Sequence, residues 1–363
     1  MAKQKIALLT GGGDAPGLNA VIYAITRSCL NTLDCELIGY KFGYRGLYLN
    51  DYIPLTRETT TGILHKGGTM LYASNKDNLF DYLVEENGVM VKRDLSHVAI
   101  NNMKKEGVDV LVVLGGDGTL TSARDFARKG VKVIGVPKTI DNDLASTDQT
   151  FGFDSAVNIV TENLGRLHTT TESHYRVMVV EVMGRSAGWI ALHSGIAGSA
   201  DVILIPEIPY SLDKVVDKIK ERDERGKYFT IIVVTEGATE KGGDAVVGKV
   251  VSDSPDPIRF GGIAAKIAHD LEGKVEHEIR SCALGHIQRG GDTSAFDRIL
   301  SVRYGVHAAQ LIKEEKWGNM VCMRGSQMSY DSLENVIGSK SKLVDPAGEL
   351  VQAAKLLGIS FGD

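Results

Sequence analysis

Apolar residues along the chain fall into short runs, several of them closed by glycine and followed by helical spacing. Ile6–Leu9 is an apolar run of strand length, Gly11–Gly13 end it, and Asn19–Leu30 has helical periodicity. The same grammar returns at Val110–Leu114, with a loop at Gly115–Thr119 and a helix to about Arg128. A further strand is predicted over Val131–Val136. Val177–Val182 runs into the glycine-opened helix of "MGRSAGWIALHSGIAG", and "DVILIPE" and "YFTIIVVTEG" give two more strands. Residues 237–262, rich in Gly, Asp and Pro, read as a long surface excursion. "IRSCALGHIQRGGDTSAFDRILSVRYGVHAAQLI" gives a short strand, a glycine-rich turn and a long helix. Residues 327–363 read as an irregular stretch and a terminal helix. Strands alternating with helices through short loops predict an α/β fold, mostly parallel and doubly wound, with right-handed crossovers.

Size and charge narrow this picture. At about 100–200 residues per domain, 363 residues predict two domains or one α/β unit with two lobes. A net charge of −5 argues against non-specific nucleic-acid binding but not against anionic substrates. No apolar run approaches the ~18 residues of a membrane span, and nothing reads as a signal peptide. Cys29, Cys35, Cys282 and Cys322 form no C-x-x-C pair and read as small apolar filler in a reduced, cytoplasmic protein. No H-x-x-x-H occurs, so a zinc site is not supported.

Ligands of open α/β sheets bind beyond the carboxyl ends of the strands, and the polar motifs all follow predicted strands. "TGGGDAPG", Thr10–Gly17, reads as a phosphate cradle or only a tight turn; it has neither G-K-[ST] nor G-x-G-x-x-G. In "LGGDGT", an acid in a glycine nest would repel phosphates unless it holds a cation. Asp117 therefore reads as a Mg²⁺ contact, or else as an N-cap. "VPKTIDND" places Lys138 before Thr139, Asp141 and Asp143. Asp141 suits a general base, worth roughly 10²–10⁴ in rate, or belongs to an Asx-turn cluster. Lys138 recruits a phosphate donor, selects between donors, or neutralises the acids. Arg185 sits at a helix mouth, suited to charge on a transferring phosphoryl group, and Glu236 ends the strand of "VVTE". Arg176, Arg280, His286 and Arg289 are further cations beside strand ends.

"GGGDAPGLNA", "GGDGT", "PKTIDND", "EVMGRSAGW", "VTEG" and "LGHIQRGG" occur in the order and spacing of the 6-phosphofructokinases, which the chain resembles over roughly residues 4–320. The resemblance implies two doubly wound α/β lobes. Residues 1–150 with about 288–330 would bind the nucleotide, 151–287 the fructose 6-phosphate, and 331–363 would pack on both as an extension. It implies a cytoplasmic enzyme of glycolysis that phosphorylates the 1-hydroxyl of fructose 6-phosphate, with ATP as donor and Mg²⁺ as cofactor. By motif match, Gly12, Gly116, Asp117, Gly118 and Thr119 would contact the nucleotide, and Asp117 the metal. Asn75 and Lys76 stand where an Arg usually meets the nucleotide phosphates. Asp141 would accept the proton, with Thr139 beside it and Arg185 on the transition state. Met183, Gly184, Arg185 and Glu236 would line the sugar, and His286 and Arg289 the 6-phosphate. Arg176 and Arg280 would reach the sugar phosphate across a subunit interface, implying a homo-oligomer, dimer or tetramer.

Two positions bear on the donor. ATP users of the family typically carry Gly at position 118, where pyrophosphate users carry Asp; pyrophosphate users carry Lys at position 138. Gly118 with Lys138 resembles a mixed subgroup. A carboxylate at 118 would exclude the nucleotide, whereas Lys138 only adds attraction, so ATP is expected and pyrophosphate is the alternative. Many bacterial members also have an Arg-rich effector site. Here Tyr23 and Asp51 replace two of its cations, although Arg27, Glu207 and Lys227 are kept, which predicts weak or absent activation by ADP.

Overall fold

The computed structural model describes residues 3–86, 88–251 and 257–363. The strands β1 (Gln4–Thr10), β2 (Cys35–Tyr40) and β3 (Tyr52–Pro54) come first, then an antiparallel pair, β4 (Tyr82–Glu86) and β5 (Val89–Arg93). β6 (Val110–Gly115), β7 (Val133–Pro137), β8 (Arg176–Val182), β9 (Val202–Leu204) and β10 (Thr230–Thr235) follow. The last are β11 (Val247–Val250), β12 (Ile258–Phe260), β13 (Glu278–Ala283), β14 (Asn319–Arg324) and β15 (Gln327–Ser332).

Two parallel-cored sheets organise the chain. The first runs β15-β14-β7-β6-β1-β2-β3, antiparallel only at its two outer pairs. The second runs β13-β8-β10-β9 and is parallel throughout. Both are covered on both faces, which is why their strands read as continuous apolar runs. In the first sheet Ile6, Leu8, Val112 and Leu114 enter one core, and Ala7, Leu9, Leu111 and Val113 the other. In the second, Val180 and Val233 face one core and Val179 and Val234 the opposite one.

β1 pairs with β2 on one side and β6 on the other, so the chain reverses its winding between β1 and β6. Such a switch point leaves a crevice at the carboxyl ends of the two strands. Both glycine motifs begin there. The long helix Ala295–Lys313 packs against Leu18–Thr32 at its close approach, where a Cβ on Gly305 would lie 2.9 Å from Val21 O.

Three differences from the sequence reading have local causes. β7 starts at Val133, because Val131 still closes the preceding helix by donating to Phe126 O (3.1 Å). Residues 237–262 hold the pair β11–β12, although every β11 residue is exposed and no apolar face marks it; residues 252–256 of that stretch lie outside the described residues. The start of the tail is strand β15, returning on β14 through Gly325 at φ 57°. The rest of the tail joins both cores: Leu333 and Val336 pack on the first sheet, and Val344, Val351 and Phe361 on the second.

Candidate active site

The first glycine loop is shaped by packing as much as by ligand access. A Cβ on Gly11 would lie 2.6 Å from the Thr119 side chain, and one on Gly115 2.3 Å from it. Their lack of side chains lets the helix Asp117–Arg128 seat its first turn against the ends of β1 and β6. Gly12 has φ 76°, a left-handed conformation suited to glycine, and its N–H donates to Ser74 O (3.0 Å). That bond places the exposed Asn75 and Lys76 beside the loop. The loop also presents carbonyls to cations: Lys138 Nζ donates to Gly13 O, and Arg289 Nη1 to Asp14 O (2.8 Å).

Asp117 opens its helix, with Gly116 as the extended N-cap and no side-chain capping bond. The N-cap alternative for Asp117 is therefore not realised. Its exposed carboxylate has a raised pKa, from partial desolvation and then Asp143, opposed by Arg185 and Arg124. Beside Gly118, an added Cβ would meet nothing within 4 Å.

The second loop follows β7. Lys138 is 4% exposed; burial and the nearby Arg289 pull its pKa down to about 8, against the attraction of Asp141, Asp14 and Asp143. Thr139 Oγ1 accepts the Asp141 N–H (3.0 Å), so the threonine hydroxyl makes the local turn and the acids are not spent on it. Asn142 lies between the two acids at φ 53°, its Oδ1 accepting the Thr150 N–H (3.0 Å). Burial and then Asp143 raise the Asp141 pKa, against Arg289, Lys138 and Arg185.

The second sheet supplies the facing wall. Met183, Gly184 and Arg185 follow β8, and Arg185 adopts φ 54°. Its N–H donates to Glu236 Oε1 (3.1 Å), while the Glu236 N–H donates to Val182 O (2.9 Å). Gly184 stands at φ 140°, where a Cβ would meet Ala187 O at 2.5 Å. Glu236 is pushed up to about 7, by burial and then by Asp141. His286 and Arg289 lie on a short 3₁₀ turn, Gly285–Arg289, with His286 exposed. The buried Gln288, passed over in the sequence, ties that turn to the β8 loop: its Oε1 accepts the Met183 N–H (3.2 Å) and its Nε2 donates to Gly285 O (3.0 Å).

Asp117, Lys138, Asp141, Arg185, Glu236 and Arg289 thus share one electrostatic neighbourhood drawn from both sheets. Arg176 and Arg280 do not join it. Arg176 begins β8, at the end opposite Arg185, and seven residues at about 3.3 Å each put roughly 20 Å between those ends. Both arginines pair with Glu278. Three of the residues matched to an effector site are also engaged within the chain. Glu207 accepts N–H groups from Gly188 (2.9 Å) and Val344 (2.8 Å). Arg27 donates to Arg57 O (2.8 Å) and Thr61 Oγ1 (3.0 Å), and Asp51 pairs with Lys41 (2.6 Å).

Among the described residues no three His, Cys, Asp or Glu side chains form a metal-holding group. A single carboxylate completed by phosphates and water is an ordinary Mg²⁺ arrangement, and Asp117 beside open space fits it.

Known proteins resemble the chain along most of its length. The phosphofructokinase family model ("PFK: Phosphofructokinase") matches residues 5–312. A Clostridium perfringens protein named ATP-dependent 6-phosphofructokinase 2 is 67% identical over 362 residues, 99% of each chain. An Amycolatopsis methanolica protein named pyrophosphate–fructose 6-phosphate 1-phosphotransferase is 45% identical, over 89% of this chain and 92% of its own. The solved phosphofructokinase of Saccharomyces cerevisiae superposes with a TM-score of 0.79 at 28% identity, over 93% of this chain. This chain spans 45% of the yeast chain. The chain belongs to the phosphofructokinase family.

Proposed function

We propose that this chain transfers the γ-phosphoryl group of ATP to the 1-hydroxyl of D-fructose 6-phosphate, giving fructose 1,6-bisphosphate and ADP. The observation that carries this reading is the meeting of Asp141, Arg185, Glu236 and Lys138 at the carboxyl ends of two sheets. Its relative at 67% identity bears the name of that ATP-dependent activity.

Each residue has a role that its position supports. Asp141 takes the proton of the attacking hydroxyl, and burial brings its basicity nearer to neutral pH. Thr139 orients it through the Asp141 N–H. Arg185 neutralises charge on the transferring group. Glu236 accepts sugar hydroxyls, Met183 and Gly184 line the sugar, and His286 and Arg289 hold the 6-phosphate. Gly12, Asn75, Lys76, Gly116, Gly118 and Thr119 border the nucleotide. Bound at Asp117 with the ATP phosphates, Mg²⁺ would screen their negative charge. Residues 1–150 with about 288–330 form the nucleotide lobe, 151–287 the sugar lobe, and 331–363 an extension on both. Arg176 and Arg280, remote from their own chain's cleft, serve the sugar phosphate of a neighbouring subunit, so the working form is a homo-oligomer. No described helix is long and apolar enough to cross a membrane. A glycolytic role in the cytoplasm suits this reading.

Pyrophosphate is a second candidate donor. Lys138 favours it, as a buried point charge beside the glycine loop, and so does the 45% relative. The direct test incubates the protein with Mg²⁺, ATP and fructose 6-phosphate and follows ³¹P NMR. New resonances of a 1,6-bisphosphate are expected; ATP hydrolysis without them would contradict the reading.

Two further outcomes follow from the site. Asp141 and Glu236 both have raised pKa values, so their protonated forms persist to higher pH than in free carboxylates. Since the ionised forms are the active ones, kcat/KM for fructose 6-phosphate is expected to fall below about pH 7. Glu236→Gln removes the higher of these pKa values, so the acid limb should move to lower pH; an unmoved limb would show that Glu236 does not titrate in the free enzyme. ADP at millimolar levels is expected to leave the half-saturating fructose 6-phosphate concentration within about twofold, because Glu207, Arg27 and Asp51 have partners of their own. A large leftward shift would contradict this.

A further inference from the structure

Lys342 lies outside the family-matched residues 5–312, between the helices Leu333–Gly338 and Glu349–Leu356. Its ammonium donates to Asn142 Oδ1 (3.0 Å), Thr147 O (3.1 Å) and Asp148 O (2.7 Å). It also stands 5.6 Å from the centroid of the Trp189 ring. The Lys342 N–H donates to Asp143 O (2.8 Å), and its carbonyl accepts the Trp189 Nε1–H (2.8 Å). Two residues on, the Val344 N–H is held by Glu207 (2.8 Å). One residue of the tail therefore fastens the Asp141–Asp143 turn to the second sheet's helix Trp189–Ala197.

The fastening falls where it matters for direction. Asn142 is left-handed at φ 53°, a conformation that asparagine tolerates better than other non-glycine residues and that its hydrogen bonds hold in place. Oδ1 of Asn142 takes hydrogen bonds from the Thr150 N–H, from Lys342 and, at 3.5 Å, from Thr150 Oγ1, and these fix the side chain. The Asn142 backbone sets the directions of the carboxylates on either side of it, Asp141 and Asp143. Asp148, Asp154 and His193 face the ammonium across a cavity of about 280 Å³. Burial pulls the Lys342 pKa down to about 8, opposed by Asp148 and Asp143.

We propose that Lys342 is a positioning residue for the phosphoryl-transfer reaction, holding the Asp141 carboxylate in its working direction through Asn142 and the Asp143 carbonyl. The inference rests on Asp141 being the general base of the proposed activity. Lys342 is placed on the far side of the turn and acts on no substrate directly. A misplaced catalytic group costs rate more than affinity. Lys342→Met keeps an unbranched side chain, one atom shorter, and removes its donors. Asn142→Gly removes the acceptor while still tolerating positive φ.

The experiment measures kcat and both KM values for the parent, K342M, N142G and the double variant. Each single variant is expected to lose kcat about tenfold, with KM for ATP and fructose 6-phosphate within about twofold. The double variant should lose no more than about twofold beyond N142G alone, because one link is broken twice. A purely structural role would instead multiply the two losses or raise both KM values, and would overturn the proposal. So would a K342M or N142G variant that keeps kcat within twofold of an active parent. Should K342M fail to fold, N142G and its kcat decide alone. An inactive parent would overturn the reading of Asp141 on which the inference rests, and the inference with it.

Discussion

Asp141→Asn is expected to lower kcat about 10³-fold while leaving KM for ATP and fructose 6-phosphate within a few-fold. Asparagine matches the shape of aspartate and cannot accept a proton from the attacking hydroxyl. The Asp141 N–H bond to Thr139 Oγ1 belongs to the backbone, so the turn survives the change. Asp143 would then lose a like-charged neighbour, and the repulsion that, after burial, raises the Asp141 pKa would be gone. Folding should therefore not suffer, and the loss belongs to chemistry. Steady-state kinetics on the purified variant decides the matter; a kcat within tenfold of the parent would remove Asp141 from the role of base.

Gly118→Asp is expected to reduce kcat/KM for ATP about 10²-fold or more without lowering the melting temperature. The fold permits the change, because nothing lies within 4 Å of a Cβ at Gly118 and no positive φ is required there. An acid in the first turn of the helix Asp117–Arg128 is even favoured by the helix dipole. The cost falls on the ligand. A new carboxylate about 5 Å from a phosphate, at an effective dielectric near 20, opposes binding by about 3 kcal/mol. That corresponds to roughly two decades in kcat/KM. Pyrophosphate needs no room for a nucleoside and keeps Lys138, so its relative use should rise. Donor kinetics on the variant would contradict the gate if ATP use stayed within threefold of the parent.

Much of the site was legible because each motif sits where an apolar run ends, in several cases at glycine. The sheets bury both faces, so the runs are unbroken and their ends are sharp, as at Leu114–Gly115 and Val182–Met183. What a loop does with its backbone was not legible. The Gly11–Gly13 segment reads as a set of donors for phosphate. In the structure the Gly12 N–H is taken by Ser74, and the Gly13 and Asp14 carbonyls hold Lys138 and Arg289. Peptide-plane directions depend on φ and ψ, which composition leaves open where glycine is allowed. Strand β15 was hidden because "QMSYDS" is mostly polar and gains its pairing from β14, not from a buried face. Lys342 gave no signal at all, being one lysine in a polar tail whose partners lie 194 to 200 residues away.

The account depends most on the identity of the donor and acceptor. The most direct measurement is the kcat/KM of the unmodified protein for ATP and for pyrophosphate, each with saturating fructose 6-phosphate and Mg²⁺, read through aldolase-coupled detection of fructose 1,6-bisphosphate. The open space beside Gly118 predicts turnover with ATP at least tenfold more efficient than with pyrophosphate. Efficient turnover with pyrophosphate and little or none with ATP would contradict it.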